Sequence, residues 1–133
     1  MKKFNIEALE AKIQSVYTEG ITVDEAEKLA AEFLNAQLQI SKQLRDADLD
    51  ARMKKAGNKA IRAAVYLNIL KNNDKKPTEA AISAMIDSDE TVLGQQQALD
   101  EAEVLKADLE RSYDVFLNAH IYFRGIAKGG FNA

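Results

Sequence analysis

A chain of 133 residues, 47% hydrophobic and 29% charged, has the composition of one folded domain with a real core and not of a disordered segment. It has no cysteine, which excludes a disulfide framework and a thiolate metal site, and its single proline and six glycines argue against a turn-rich β architecture. The net charge of −3 is that of an ordinary acidic protein, and no run approaches the roughly 18 apolar residues of a membrane span.

The elements read as helices, since Ala, Leu, Glu, Lys and Gln are abundant and lose little entropy in a helix. The first is expected after Asn5 as N-cap, with Ile6, Leu9, Ile13, Val16 and Tyr17 at helical spacing and Gly20 as its stop. Thr22-Val23-Asp24-Glu25 is a capping box that opens a long second helix. Its apolar stripe takes in Ala26, Leu29, Ala30, Phe33, Leu34, Leu38 and Ile40, then Leu44 and Met53. The pattern keeps its phase through Gly57, so this helix is expected to continue to about Leu70. At about 1.5 Å per residue that is a rod of roughly 70 Å, which must bend or be covered by other subunits.

Asn72 to Pro77 is the clearest loop, and Pro77 is expected as the first residue of a short helix with an apolar face of Ala81, Ile82, Met85 and Ile86. Asp87 or Ser88 should cap the last long helix. Its stripe includes Val92, Leu99, Ala102, Leu105, Leu109, Tyr113, Phe116 and Phe123, and Gly125 should end it. The reading is thus an all-α, elongated helical bundle of about four helices, two of them long, that oligomerises through its apolar stripes. Residues 1–124 form a single helical domain in this reading, and 125–133 a flexible glycine-containing tail with Phe131. Glu7 and Glu10 stand where a signal peptide would have its apolar core, which sets a cytoplasmic expectation.

Catalytic and metal signatures fail one by one. His120, the only histidine, sits among Phe116, Leu117, Ile121 and Phe123 with no nucleophile at motif spacing, as a histidine packed at a helix interface does. One histidine also excludes a di-iron bundle built on two Glu-x-x-His elements. Asp100, Glu103, Glu110 and Asp114 follow one helix face but are interspersed with Lys106 and Arg111, as on a solvated surface. Asp87-x-Asp89-x-Thr91 starts like a calcium loop, yet Val92 and Ala98 occupy its glycine and glutamate positions. No catalytic residue, metal ligand or cofactor is assigned, and an enzyme is not expected.

One feature is polarised. Residues 42–76 hold ten basic and four acidic side chains (+6), whereas 77–133 hold four and ten (−6) and 1–41 hold four and seven (−3). Within the basic stretch Arg52, Lys55, Lys59 and Arg62 share a narrow helical sector, to which Tyr66 returns, and Lys54 lies beside it. Met53, Gly57, Ala60, Ala64 and Leu67 fall on a different face. No acidic residue occurs between Arg52 and Lys71. Such a row can neutralise successive phosphates with release of counterions, and an aromatic on it can stack a base. The same row can instead pair with the acidic last helix, within or between subunits, and the spacing leaves both readings open.

From Lys54-Lys55-Ala56-Gly57-Asn58-Lys59-Ala60-Ile61-Arg62 and Val65-Tyr66-Leu67 onward the chain resembles the UvsY-like recombination mediators of tailed phages. Thr78–Ile82, Asp89–Val92 and the long helix to Arg124 extend the likeness, which covers roughly residues 42–126. The chain departs from the family pattern in placing its arginine one residue later and in reducing an aromatic pair plus glycine to Tyr66 with Asn68 behind it. The resemblance implies a non-catalytic accessory factor in the host cytoplasm: a ring-like homo-oligomer that binds single-stranded DNA. Its implied protein partners are a RecA-type recombinase, which it helps to load, and a single-strand-binding protein. Lys54, Lys55, Lys59 and Arg62 are the implied DNA contacts, joined by Arg52 and Tyr66 from the helical pattern. The alternative is a helical interaction module, such as an inhibitor, assembly chaperone or structural adaptor, that never touches nucleic acid.

Overall fold

A computed structural model describes residues 6–129, so the cap expected at Asn5 and the tail from Gly130 onward, Phe131 included, lie outside the described residues, as does the side chain of Tyr17. The described chain is four helices with no strand: α1 (Ile6–Glu19), α2 (Val23–Asn72), α3 (Glu79–Ser88) and α4 (Glu90–Ala127). The all-α expectation with two long helices is met.

Local chemistry sets the helix ends. Gly20 takes φ +75°, a left-handed conformation that residues with a side chain adopt only under strain, and its N–H reaches Val16 O at 3.1 Å to close α1. The Thr22 hydroxyl accepts from the Glu25 N–H at 3.2 Å, capping α2. That helix passes through Gly57 without a break. A lone interior glycine costs only about 1 kcal/mol relative to alanine, which packing offsets.

Three boundaries differ from the sequence reading. Thr78, not Pro77, begins α3: its hydroxyl accepts from the Ala81 N–H at 3.2 Å, and Pro77 stays in the loop before it. Asp89 serves both neighbouring helices. Its own N–H closes α3 on Ile86 O, while its carboxylate accepts from the N–H groups of Thr91 and Val92 and so caps α4. Ser88, one of the two expected caps, turns its hydroxyl back to Ala84 O instead. Gly125 lies inside α4; the chain turns at Gly129, at φ +68°, where a left-handed conformation is needed.

The contacts group into two compact units, one made of the stretches up to Arg45 and from Asp108, the other of Asp46–Ala107. In the first, α1, the start of α2 and the end of α4 enclose Ala26, Ala30, Phe33, Ala36, Ile40, Leu109, Phe116 and Phe123. The Phe33 ring stacks on Phe123 with centroids 5.6 Å apart and meets Phe116 at the same distance. His120 Nδ1 lies 2.8 Å from the Ala30 carbonyl, an acceptor only, so this nitrogen carries the proton and the histidine ties α4 to α2. Leu34 and Leu38, assigned to the stripe by sequence, face outward.

In the second unit Ile82, Ile86 and Val92 form a cluster onto which Ile61, Val65, Tyr66, Ile69 and Leu70 of α2 pack. Ala47, Ala51 and Asn58 continue the inward row of α2, and Leu99 and Ala102 that of α4. The buried Asn58 Nδ2 donates to Gln96 Oε1 at 2.8 Å. The face holding Met53, Ala60, Ala64 and Leu67 is exposed, and so is Leu105. This stretch of α2 is apolar on two sides. The side with isoleucine, valine and tyrosine buries more apolar area than the alanine-rich one, and that side is turned inward.

Candidate nucleic-acid interface

Six side chains were expected at the interface, and all lie on the part of α2 that belongs to the second unit. Their states differ. Lys55 and Lys59 are exposed and make no ion pair among the described residues. Arg52 Nε contacts Asp48 Oδ2 at 3.1 Å, one turn back, but its side chain is 76% exposed and can turn to another anion. Lys54 Nζ is held by Asp50 Oδ2 at 2.9 Å, also one turn back.

Arg62 and Tyr66 are drawn inward. Arg62 Nη2 reaches Asp87 Oδ1 at 2.7 Å, at the end of α3. Tyr66 is half-buried, packed on the Ile82, Ile86 and Val92 cluster. The row therefore resolves into an exposed edge, the unpaired Lys55 and Lys59 with the Asp48-paired but highly exposed Arg52, and a tethered end of Arg62 and Tyr66. Lys71 and Lys75 extend the exposed positive charge beyond Tyr66, and Lys76 contacts Glu79 at 3.3 Å.

The rival use of the row, pairing with the acidic last helix, takes a limited form within the chain. Arg62 pairs with Asp87 on α3, not with α4. The bridge that does join α2 to α4 has the opposite sense, with Lys106 Nζ 2.9 Å from Asp48 Oδ1. Asp48 thus accepts from Lys106 and Arg52 together. The Lys106 hydrogen bond is the larger influence, and it holds the carboxyl below the ordinary aspartate range against the opposing effect of burial. Asp100, Glu103 and Asp114 of α4 are exposed, as their interspersed spacing implied. Gln96 Nε2 donates to Asp100 Oδ1 at 2.9 Å.

The sequence reading missed Asp48, Asp50 and Asp87, which decide which cations are open. Two of them were in reach of it, because Asp48–Arg52 and Asp50–Lys54 are i,i+4 pairs. The third was not, since Asp87 meets Arg62 only once α3 has folded back. Among the described residues no group of three or more His, Asp or Glu side chains is placed to hold a metal ion, and no helix is long and apolar enough to cross a membrane.

The architecture defines the class, an all-α helical protein. No protein-family model, curated protein or solved structure matches the chain.

Proposed function

We propose that this chain is a non-catalytic accessory factor that binds single-stranded nucleic acid along the open edge of α2. The observation that carries the reading is the exposure of Arg52, Lys55 and Lys59 on one helical edge, in a stretch with no acidic residue from Arg52 to Lys71. Cations in a row favour the phosphate backbone over a point-like anion, and such binding is independent of sequence. By resemblance to phage recombination mediators, the factor assists loading of a RecA-type recombinase onto strands held by a single-strand-binding protein, in the host cytoplasm. Lys54, Arg62 and Tyr66 border the edge and join it when a phosphate or base displaces their present partners.

The test is fluorescence anisotropy of a labelled single-stranded oligonucleotide with the wild type and the Lys55→Glu/Lys59→Glu variant, helicity being checked by far-UV circular dichroism. Loss of binding in the folded variant supports the reading, and unchanged affinity overturns it. A second reading, a helical module that binds only protein, draws on the exposed Leu49, Met53 and Leu67 of the same helix.

A further inference from the structure

Beside its basic edge α2 carries an exposed apolar row. Leu49, Met53, Ala56, Ala60, Ala63 and Leu67, all in the second unit, follow one another at intervals of four, three, four, three and four residues and so line up along the helix. All six are exposed, and the three large ones strongly so: Leu49 58%, Met53 65% and Leu67 64%. Single exposed apolar side chains are ordinary on a protein surface, but a continuous row marks a contact face. Its two borders differ. Arg52 and Lys59 run along one side with Lys55 behind them, while Gly57, Ala64 and Asn68 on the other side carry no charge. Asp50, where that uncharged side begins, is paired with Lys54.

The juxtaposition has the dimensions of a nucleotide chain. The row sits roughly 90° round the helix from the line of cations, which on a helix about 10–12 Å across is about 8–9 Å of surface. That is close to the offset of a base from its own phosphate. Steps of three and four residues advance about 4.5–6 Å, which suits bases drawn apart along the row and not bases stacked about 3.4 Å apart. The side chains suit base faces as well. A methionine thioether makes favourable contacts with aromatic rings, and alanine packs on a thymine methyl group. Tyr66, the only aromatic residue of α2 in this unit, packs on Ile82, Ile86 and Val92, so contact with bases falls first to the row.

We propose, resting on the nucleic-acid reading above, that this row is the base platform of the site and the element that selects single strand over duplex. The phosphates lie along Arg52, Lys55 and Lys59, and the bases turn across Leu49, Met53 and Leu67 toward the uncharged border. In an extended single strand the base faces are open and have apolar surface to bury. In a duplex those faces are already covered by stacking, so the row meets only sugar and phosphate and gains nothing. The cations thus set the salt dependence and the apolar row sets the preference between strands.

The test compares two labelled probes of equal length by anisotropy across a salt series: a thymidine oligonucleotide, and an abasic strand with the same phosphates and sugars. Each is titrated with the wild type and with Leu49→Ala/Met53→Ala/Leu67→Ala. Alanine keeps the helix, all three positions are exposed, and circular dichroism verifies the fold. The wild type should bind the thymidine strand about tenfold more tightly than the abasic one, the equivalent of roughly 55 Å² of apolar surface taken from water. The variant should lose that advantage while keeping its affinity for the abasic strand and an unchanged salt slope. A wild type that binds both strands equally, or a variant that retains the advantage, would overturn the platform and leave phosphate binding by the cations standing. If the wild type binds neither strand at low salt, the nucleic-acid reading fails and the platform with it, and the row belongs to a protein partner.

Discussion

Arg62 Nη2 lies 2.7 Å from Asp87 Oδ1, so the last arginine of the basic row is tied to the end of α3. The two side chains are 41% and 63% exposed, and a pair so open to water contributes about 0–1 kcal/mol to stability. On the nucleic-acid reading proposed above, the pair matters because it decides whether Arg62 can serve a phosphate. Replacing Asp87 by Asn should leave the melting temperature nearly unchanged and tighten oligonucleotide binding. Each phosphate contact adds about −0.7 to the slope of log affinity against log salt for single strands. The salt dependence measured by anisotropy should therefore steepen by about that amount.

Phe33 holds the first unit together, being fully buried against Phe116 and Phe123. Truncating such a side chain removes its transfer free energy and leaves a cavity, together about 3–5 kcal/mol. Phe33→Ala should shift the urea midpoint strongly downward, whereas Leu38→Ala, on the exposed side of the same helix, should shift it little.

Asp89 joins α3 to α4 through four backbone groups, the Ile86 carbonyl and the N–H groups of Thr91, Val92 and Leu93. Asp89→Ala should cost about 1 kcal/mol by loss of the α4 cap, while Ser88→Ala, at the position next to it, should cost less. Paired thermal melts followed by circular dichroism separate the two, and a loss at Ser88 as large as or larger than that at Asp89 would contradict the assignment of the cap to Asp89.

Asp48 gives a pH signature. Its carboxyl is held below the ordinary aspartate range, first by the Lys106 hydrogen bond and then by Arg52. A group with a depressed pKa in the folded state stabilises the fold above the ordinary aspartate range, and that contribution is lost as the pH falls through the folded-state value. In a carbon-13 carboxyl titration followed by nuclear magnetic resonance, Lys106→Met should move the Asp48 midpoint upward.

How much of this was legible in the sequence depended on whether the signal was local. Gly20 and Thr22 carry their information in four or five residues, and the one closed α1 and the other opened α2 where the pattern placed them. The unbroken phase through Gly57 likewise foretold a continuous α2. Where several residues compete for one helix start, as Pro77 with Thr78, or the expected Asp87 and Ser88 with Asp89, the choice turned on which side chain could reach a free N–H, and composition does not record that. The orientation of α2 was harder still. Met53 and Leu67 are as apolar as Ile61 and Val65, so periodicity alone could not say which row meets Ile82, Ile86 and Val92. The basic edge was legible as a spacing, but the tethering of Arg62 and Tyr66 depends on α3, whose place against α2 no local pattern specifies.

The most direct test of the central claim is the anisotropy titration of the wild type with a labelled single-stranded oligonucleotide across a salt series, repeated with duplex. Contacts from the unpaired Lys55 and Lys59 and from the exposed Arg52, once released from Asp48, give a slope of about −2, or on the order of a twentyfold loss of affinity between about 50 and 200 mM salt. The account predicts that loss together with a preference for the single strand. An absence of binding at the lowest salt, or binding indifferent to salt, would contradict it and leave the basic edge of α2 as a protein contact.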